Sequence, residues 1–328
     1  MTLAKKSVWV LADQYIGNLN QCLGVAEALG IPHHTKRISY NCLARLPNLI
    51  LGSTLAHVSR DRASQILAPW PDVVIASGRR TVPVARAIKR FSGGRTFLVQ
   101  TMWPGPPTDD LDLIATPLHD RPKKHANLIR TNGAPHNVTQ KRLNVAAEDW
   151  RRRLGNVARP RIALLVGGNT RRHKFTPTLA TRLGGEVSAL VRKWGGGLLV
   201  STSRRTNLVA REALLKSLED CTEIYIWRDE QGDNPYLAYL ALSDAVIVTG
   251  DSTSMCTEAC ATGRPVYIFA PDHSTAPKHK RLHRMLYEYG SAQPLSAALN
   301  NATLTGWSYE PINDAAIIAR EIGRRIGL

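Results

Sequence analysis

The sequence predicts an α/β protein built as two Rossmann-like domains facing a cleft. Three observations carry this. Short β-branched runs alternate with helical segments along the chain, the alternation restarts after a polar, proline-ended break at 155–160, and glycine- and hydroxyl-rich turns follow several strand runs. Repeated β, α, β order implies parallel sheets covered by helices, and such sheets bind ligands at their strand carboxyl ends. A chain of 328 residues suits two cores better than one.

The first half opens with a strand at 8–12. A helix at 20–29 follows, where Leu23, Ala26, Glu27 and Leu29 fit an amphipathic pattern ended by Gly30. Strands are predicted at 33–38 and 72–76, a helix at 82–91, and strands at 95–101, 113–116 and 127–130. A charged helix at 146–154 leads into the break GNVARP, which predicts domains over 1–155 and 156–310. The second half reads as strand 162–166, helix 178–193, strand 197–201, helix 208–218, strand 223–226, helix 235–242 and strand 245–248. Next come a small turn, a helix at 255–261 and a strand at 266–269. The last segment, 311–328, contains an amphipathic helix with Ile317, Ile318, Ile322 and Ile326 on one face and arginines around it.

No apolar run approaches the roughly 18 residues of a membrane span. The apolar run after Lys5 and Lys6 is too short for a signal peptide and lacks a small-residue cleavage site, so the expectation is a cytoplasmic protein. The five cysteines (Cys22, Cys42, Cys221, Cys256 and Cys260) are odd in number and form no CxxC. Cys256 and Cys260 stand four apart on one helix face and read as two buried small apolar residues, so no metal site is expected. Lys and Arg number 43 against 26 Asp and Glu, a formal charge of +17. Such a surface attracts polyanions, but no nucleic-acid signature occurs, so anionic membrane surface or a phosphorylated ligand is the expected partner. A solvated basic surface would need the same composition.

Three turns of the second half carry groups for a diphosphate. One is Gly167, Gly168, Asn169, Thr170, Arg171, Arg172, His173, Lys174; another is Ser201, Thr202, Ser203, Arg204, Arg205, Thr206. The third is Gly250, Asp251, Ser252, Thr253, Ser254, running into a helix at Met255 that bears Glu258 in its second turn. Glycines permit close backbone approach, a helix N-terminus presents unpaired N–H groups, and arginines replace the water around phosphate oxygens. Glu258 is placed to reach ribose or sugar hydroxyls. Singly, each turn reads equally well as an ordinary capped turn; the convergence favours nucleotide binding.

GxxxxGK[ST], GxSxG and HExxH are all missing. Asp229, Glu230, Asp233 and Asp251 form no Mg²⁺ pattern, so arginine, lysine and a helix dipole are left to neutralise a leaving nucleoside diphosphate. In the first half a loop spans 11–21. Asp13 at its strand end reads either as a general base on an acceptor hydroxyl or as a turn residue, with Gly17, Asn20 and Gln21 beyond it. Arg79 and Arg80 follow another strand on the same side, and TMWPGPP at 101–107 reads as a rigid turn. His57, His125 and His136 show no partner in sequence; His173 is a weaker catalytic candidate than Asp13.

These motifs occur in order over nearly the whole chain: SGRRTVPVARAI, VQTMWP, RTNGAPHNVT, VGGNTRRHKF, STSRRT, VTGDSTSMCTEACATGRPVYIF and KHKRLHRMLYEYGSAQP. Together they resemble the bacterial and plant family named after a plant mitochondrial-fission ("elongated mitochondria") factor. The GDSxSMxxEA run is the most specific piece. The resemblance implies GT-B glycosyltransferase architecture, with the donor nucleotide in the second domain, the acceptor against the first, and the C-terminal helix crossing back to the first. It puts the donor site on Gly168, Asn169, Ser201, Arg204, Gly250, Asp251, Ser252, Ser254 and Glu258. The family's first loop carries a histidine where Asn18 stands here, so no histidine base is available at that loop.

The expectation is therefore a metal-independent glycosyltransferase needing no cofactor beyond its nucleotide-sugar substrate. Arg204, Lys174 and the helix near Ser252 would hold the diphosphate, and Asp13 would deprotonate a glycan or lipid-linked acceptor at the inner membrane, in cell-envelope synthesis. The alternatives are a nucleotide-sugar epimerase or hydrolase on the same fold, a scaffold without chemistry, and charge-driven nucleic-acid binding.

Overall fold

The computed structural model describes residues 6–121, 124–170, 173–218, 224–227 and 233–328. The chain divides into two compact units, Met1–Asn137 with Asn313–Leu328, and Val138–Ile312.

The first unit contains strands β1 (Val8–Ala12), β2 (His33–Arg37), β3 (Val73–Ser77), β4 (Phe97–Thr101), β5 (Leu113–Pro117) and β6 (Leu128–Thr131). Its helices are α1 (Ile16–Leu29), α2 (Asn48–Leu51), α3 (Arg60–Ala63) and α4 (Val82–Phe91), joined by the C-terminal helix (Asp314–Ile326). The strands form one sheet in the order β2-β1-β3-β4-β5-β6, parallel throughout. Side chains alternate across it with period two. Val8, Val10, Val73 and Ile75 pack on α1 and on Ala315, Ile318 and Ile322 of the C-terminal helix. Trp9, Leu11, Val74 and Ala76 face the other way, toward Val84, Ala85 and Ile88 of α4. At the start of the C-terminal helix the Asp314 carboxylate accepts from the backbone N–H groups of Asn132 (3.0 Å) and Gly133 (2.7 Å).

The second unit holds β7 (Arg161–Val166), β8 (Gly197–Thr202), β9 (Ile224–Trp227), β10 (Ala245–Thr249), β11 (Val266–Phe269) and β12 (Gln293–Pro294). Its helices are α5 (Gln140–Arg151), which precedes β7, then α6 (Pro177–Trp194), α7 (Leu208–Ser217), α8 (Tyr236–Leu242), α9 (Thr253–Cys260), α10 (Pro277–Glu288) and, after β12, α11 (Leu295–Leu299). This sheet is also parallel, in the order β12-β11-β10-β7-β8-β9. Ile162, Leu164, Val200 and Ile247 pack against α6 and α7 on one face. Ala163, Leu165, Leu199 and Val248 pack against α5, α8 and α9 on the other. Cys256 and Cys260 are both buried in that second layer, and burial pushes the Cys260 thiol up to about 12.

The structure differs from the sequence reading in several places. Helix α1 starts at Ile16 and not at 20, because the Asn18 and Leu19 N–H groups already donate to the Tyr15 carbonyl. The expected loop at 11–21 is thus mostly helix, carrying Gly17, Asn20 and Gln21. Helix α5 starts at Gln140, where the Thr139 hydroxyl accepts from the Arg142 N–H at 3.3 Å. Its Leu143 and Trp150 join the core of the second unit with Leu154, so the division falls at 137/138 where the sequence reading had 155/156. Residues 39–71 hold α2, α3 and a 3-10 turn, Cys42–Arg45, where no element was expected; four-residue turns carry no periodicity to detect. Helix α10, β12 and α11 were likewise not anticipated. The predicted strand at 223–226 begins outside the described residues, as do Arg171, Arg172, Cys221, Asp229 and Glu230.

Candidate functional site

In each sheet the strand order reverses once, between β1 and β3 in the first unit and between β7 and β10 in the second. Turns leaving neighbouring strands in opposite directions open a crevice at that switch point. The candidate residues gather at both.

In the second unit the turn after β7 is Gly167-Gly168-Asn169, and the turn after β10 is Gly250-Asp251-Ser252. They are laced together. The Gly167 N–H donates to the Thr249 hydroxyl (2.8 Å) and the Gly168 N–H to the Asp251 carboxylate (2.9 Å). The same carboxylate pairs with the Arg205 guanidinium at 2.9 Å, which also donates to the Asn169 carbonyl at 3.1 Å. The Asn169 N–H returns a bond to the Arg205 carbonyl (2.9 Å), and the Asn169 side chain accepts from the Phe175 N–H (2.9 Å). The Ser203 and Thr206 hydroxyls both donate to the Gly167 carbonyl. A Cβ on Gly168, whose φ is +138°, would fall on the Arg205 carbonyl, and one on Gly167 would fall on the Asp251 carboxylate. These glycines are needed for loop-to-loop contact.

Beside this knot lies an open recess. Gly168, His173, Lys174, Gly250 and Asp251 line its polar side, and Phe175 and Phe269 its apolar side. Helix α9 begins next to it. Its first residue is preceded by Ser252, whose hydroxyl makes no capping bond, so the first-turn N–H groups are left for another acceptor. Ser254 and Met255 are half-buried in that first turn. Lys174 and Arg204 are exposed, Arg204 on the turn after β8 with Thr202 half-buried behind it, while Ser201 is buried in the strand. Neither Ser201 nor Arg204 lines the recess.

Glu258 is buried, and its carboxylate accepts from the Tyr236 hydroxyl at 2.6 Å. Burial, then the Glu258 charge, pushes the Tyr236 hydroxyl well above the ordinary tyrosine value, so it stays a donor. Two histidines of α10 complete the site and were not singled out in the sequence. His283 is buried and donates from Nε2 to the Gly250 carbonyl at 2.9 Å. His279 is driven toward its neutral form by burial, by Lys278 and by Arg205 and His173, against the pull of Asp251. The signal available in sequence was their i, i+4 spacing after Pro277.

In the first unit the turns after β1 and β3 meet. Asp13 accepts from the Tyr15 N–H (2.9 Å) and the Asn18 side chain (3.0 Å), the turn role anticipated for it. Burial raises its pKa even so, outweighing those two bonds and the Arg80 charge. Gly78 sits opposite, where a Cβ would lie 2.7 Å from the Asn18 amide nitrogen. Arg80 lies over the Tyr40 ring, its guanidinium carbon 5.8 Å from the centroid. Arg79 turns away and donates to the Leu46 and Ala44 carbonyls. Gln21 is buried, reaches the Met102 sulfur at 3.5 Å and leaves its Oε1 without a partner. Gly17 and Asn20 are half-buried on α1. His57 is buried, stacked on Tyr40, and His125 pairs with Asp109 at 3.2 Å.

The family model described as "Mitochondrial fission ELM1" matches residues 16–326. An uncharacterized protein, RP120, of Rickettsia prowazekii is 29% identical over 96% of this chain and 97% of its own length. The mitochondrial fission protein ELM1 of Arabidopsis thaliana is 28% identical over 78% of this chain and 64% of its own length. Among solved structures, the UDP-GlcNAc 2-epimerase of Methanocaldococcus jannaschii in complex with UDP-GlcNAc and UDP superposes with a TM-score of 0.57. That match covers 98% of this chain and 99% of that one at 15% identity, and is a likeness of fold.

Proposed function

The chain belongs to the mitochondrial fission ELM1 family, and from that premise we propose that it is a GT-B-type glycosyltransferase that uses a nucleotide-sugar donor without a metal ion. The observation that carries the reading is the recess at the β7/β10 switch point, with Lys174 on its rim and the uncapped start of α9 beside it. A diphosphate at this place meets a lysine and backbone N–H groups, the charge-assisted donors that stabilise a leaving nucleoside diphosphate. Phe175 and Phe269 supply apolar surface for a base or sugar. Asp251, Arg205, Asn169 and His283 hold the turns in place, and Glu258, bonded to Tyr236, is carried by the same helix α9. Arg204, on its exposed turn, adds charge for the phosphates. In the first unit Asp13, made a stronger base by burial, takes the proton of an acceptor hydroxyl. The hydroxyl oxygen then bonds to the sugar C1 while the C1–diphosphate bond breaks. A glycan or lipid-linked acceptor of the cell envelope, met at an anionic inner-membrane surface, is consistent with the +17 charge.

The test is thermal shift and calorimetry against UDP, GDP, CMP, ADP and their sugar conjugates, with and without Mg²⁺. One nucleotide class should stabilise the protein without metal, by about 2.7 kcal/mol at a hundredfold excess over Kd, and Ser252→Ala and Lys174→Ala should each weaken it. No shift with any nucleotide would overturn the reading. A second reading is favoured by the similar structure that carries UDP-GlcNAc and UDP: a nucleotide-sugar epimerase or hydrolase. Incubation of the donor without acceptor decides it, since an epimerase or hydrolase converts the sugar alone and a transferase leaves it intact. A scaffold without chemistry, which the family's fission name also fits, would leave the donor unchanged and would bind no nucleotide.

A further inference from the structure

Large apolar side chains exposed to solvent concentrate in one short stretch of the first unit. Within eleven residues, Leu43 is 41% exposed, Leu46 36%, Leu49 76% and Ile50 67%. This stretch, CLARLPNLILG, is the 3-10 turn Cys42–Arg45 followed by α2. It is held firmly. Asn41 accepts from the Leu43 N–H (3.0 Å) and donates to the Ala56 carbonyl (2.7 Å), while Arg79 clamps the Ala44 and Leu46 carbonyls. Ala44, Asn48 and Leu51 point inward and are buried, and the Asn48 amide reaches the Pro104 carbonyl, next to a Trp103 that is itself 39% exposed. Four leucine or isoleucine side chains are therefore presented outward by a backbone that cannot fold them away.

The charges around the stretch name what covers it. Between residues 31 and 67 the chain has Lys36, Arg37, Arg45, Arg60 and Arg62 against a single acid, Asp61, and that acid is paired with Arg62 at 3.3 Å. Arg37, Arg45 and Arg60 are exposed. An apolar wedge that carries the exposed Arg45 within it, in a segment of the chain where bases outnumber acids, suits an anionic lipid surface, where the side chains enter the headgroup boundary and the bases meet phosphates. A second copy suits it poorly, because a two-fold contact would press the same cations together on molecules of charge +17.

We propose that residues 42–52 form a membrane-docking wedge, with Leu49 and Ile50 entering an anionic bilayer and Arg45 at its surface. The inference deepens the membrane-side part of the reading above and fails separately from it, because vesicle binding requires no nucleotide.

The experiment is flotation of the full chain with vesicles of phosphatidylcholine alone or mixed with phosphatidylglycerol, at low and high salt. The full chain should float with the mixed vesicles only, and Leu49→Ser/Ile50→Ser should weaken partitioning by about tenfold or more. Leu208→Ser/Val209→Ser is the control: these residues are exposed to 57% and 60% in the second unit and should float like the parent. A fluorophore on the exposed Cys42, in a Cys221→Ser background, should shift to the blue on vesicles, since Cys22, Cys256 and Cys260 are buried and will not label. Unchanged flotation of the Leu49/Ile50 variant overturns the proposal, as does failure of the parent to float. A parent that sediments as a dimer, with the variant a monomer, overturns it in favour of a second copy. Unchanged melting of the variant shows that the loss is one of docking and not of folding.

Discussion

Asp13 accepts hydrogen bonds from the Tyr15 N–H and the Asn18 side chain, yet burial prevails over both and over Arg80 in holding its pKa above the ordinary aspartate value. The fold thus disfavours the carboxylate relative to the unfolded chain. The stability this gives is fully present below the unfolded pKa of about 3.9 and is lost as pH rises through the higher folded value. Asp13→Asn should therefore melt higher than the parent at pH 7, the difference fading near pH 3, while kcat falls by about 100-fold or more if Asp13 is the base. Melting curves and a pH–rate profile check both halves. Asp251 is a carboxylate 15% exposed that bonds the Gly168 N–H and pairs with Arg205. Asp251→Ala leaves that N–H without its acceptor and should cost about 1–3 kcal/mol. A double-mutant cycle with Arg205→Ala should show coupling of about 0.5–3 kcal/mol, in nucleotide Kd as in stability.

Strand, glycine turn and helix form the working element of the second unit, and its geometry rests on contacts that only glycine permits. Gly168→Ala adds a Cβ against the Arg205 carbonyl at a φ of +138°. It should cost about 1–3 kcal/mol from the backbone alone and abolish the thermal shift given by nucleotide. Gly250→Ala sets its Cβ within 2.7 Å of His283 Nε2 and pushes that buried ring off the Gly250 carbonyl, so nucleotide affinity and stability should both fall. The C-terminal helix is the other decisive element. Ile318 is fully buried among β1, β3 and α1 residues, although its helix follows the second unit in sequence. Ile318→Ala should destabilise the first unit by about 2–5 kcal/mol, read by calorimetry.

At the scale of the molecule, each unit has its own cores, residues 8–129 with 315–326 in one and 138–312 in the other. Calorimetry should resolve two transitions, with nucleotide raising the one that belongs to the second unit and Ile318→Ala lowering the other. Much of this architecture was legible in the sequence. Runs such as 73–76, 162–166 and 245–248 are β-branched and bounded by turn residues, and a buried parallel strand leaves that local mark. The start of α1 was hidden because the Tyr15 carbonyl nucleates it without any capping side chain. His279 and His283 were hidden because nothing local shows that α10 lies over Gly250. The sequence by itself determined two parallel α/β units and the glycine and hydroxyl turns at their strand ends, since periodicity and turn chemistry act between near neighbours. Only the tertiary structure decided that Asp251, Arg205 and Asn169 brace the turns, that Glu258 is engaged by Tyr236, and that Arg79 clamps residues 44–46. Those roles depend on which distant groups folding brings within 3 Å or so, as with Gly168 and Asp251, 83 residues apart.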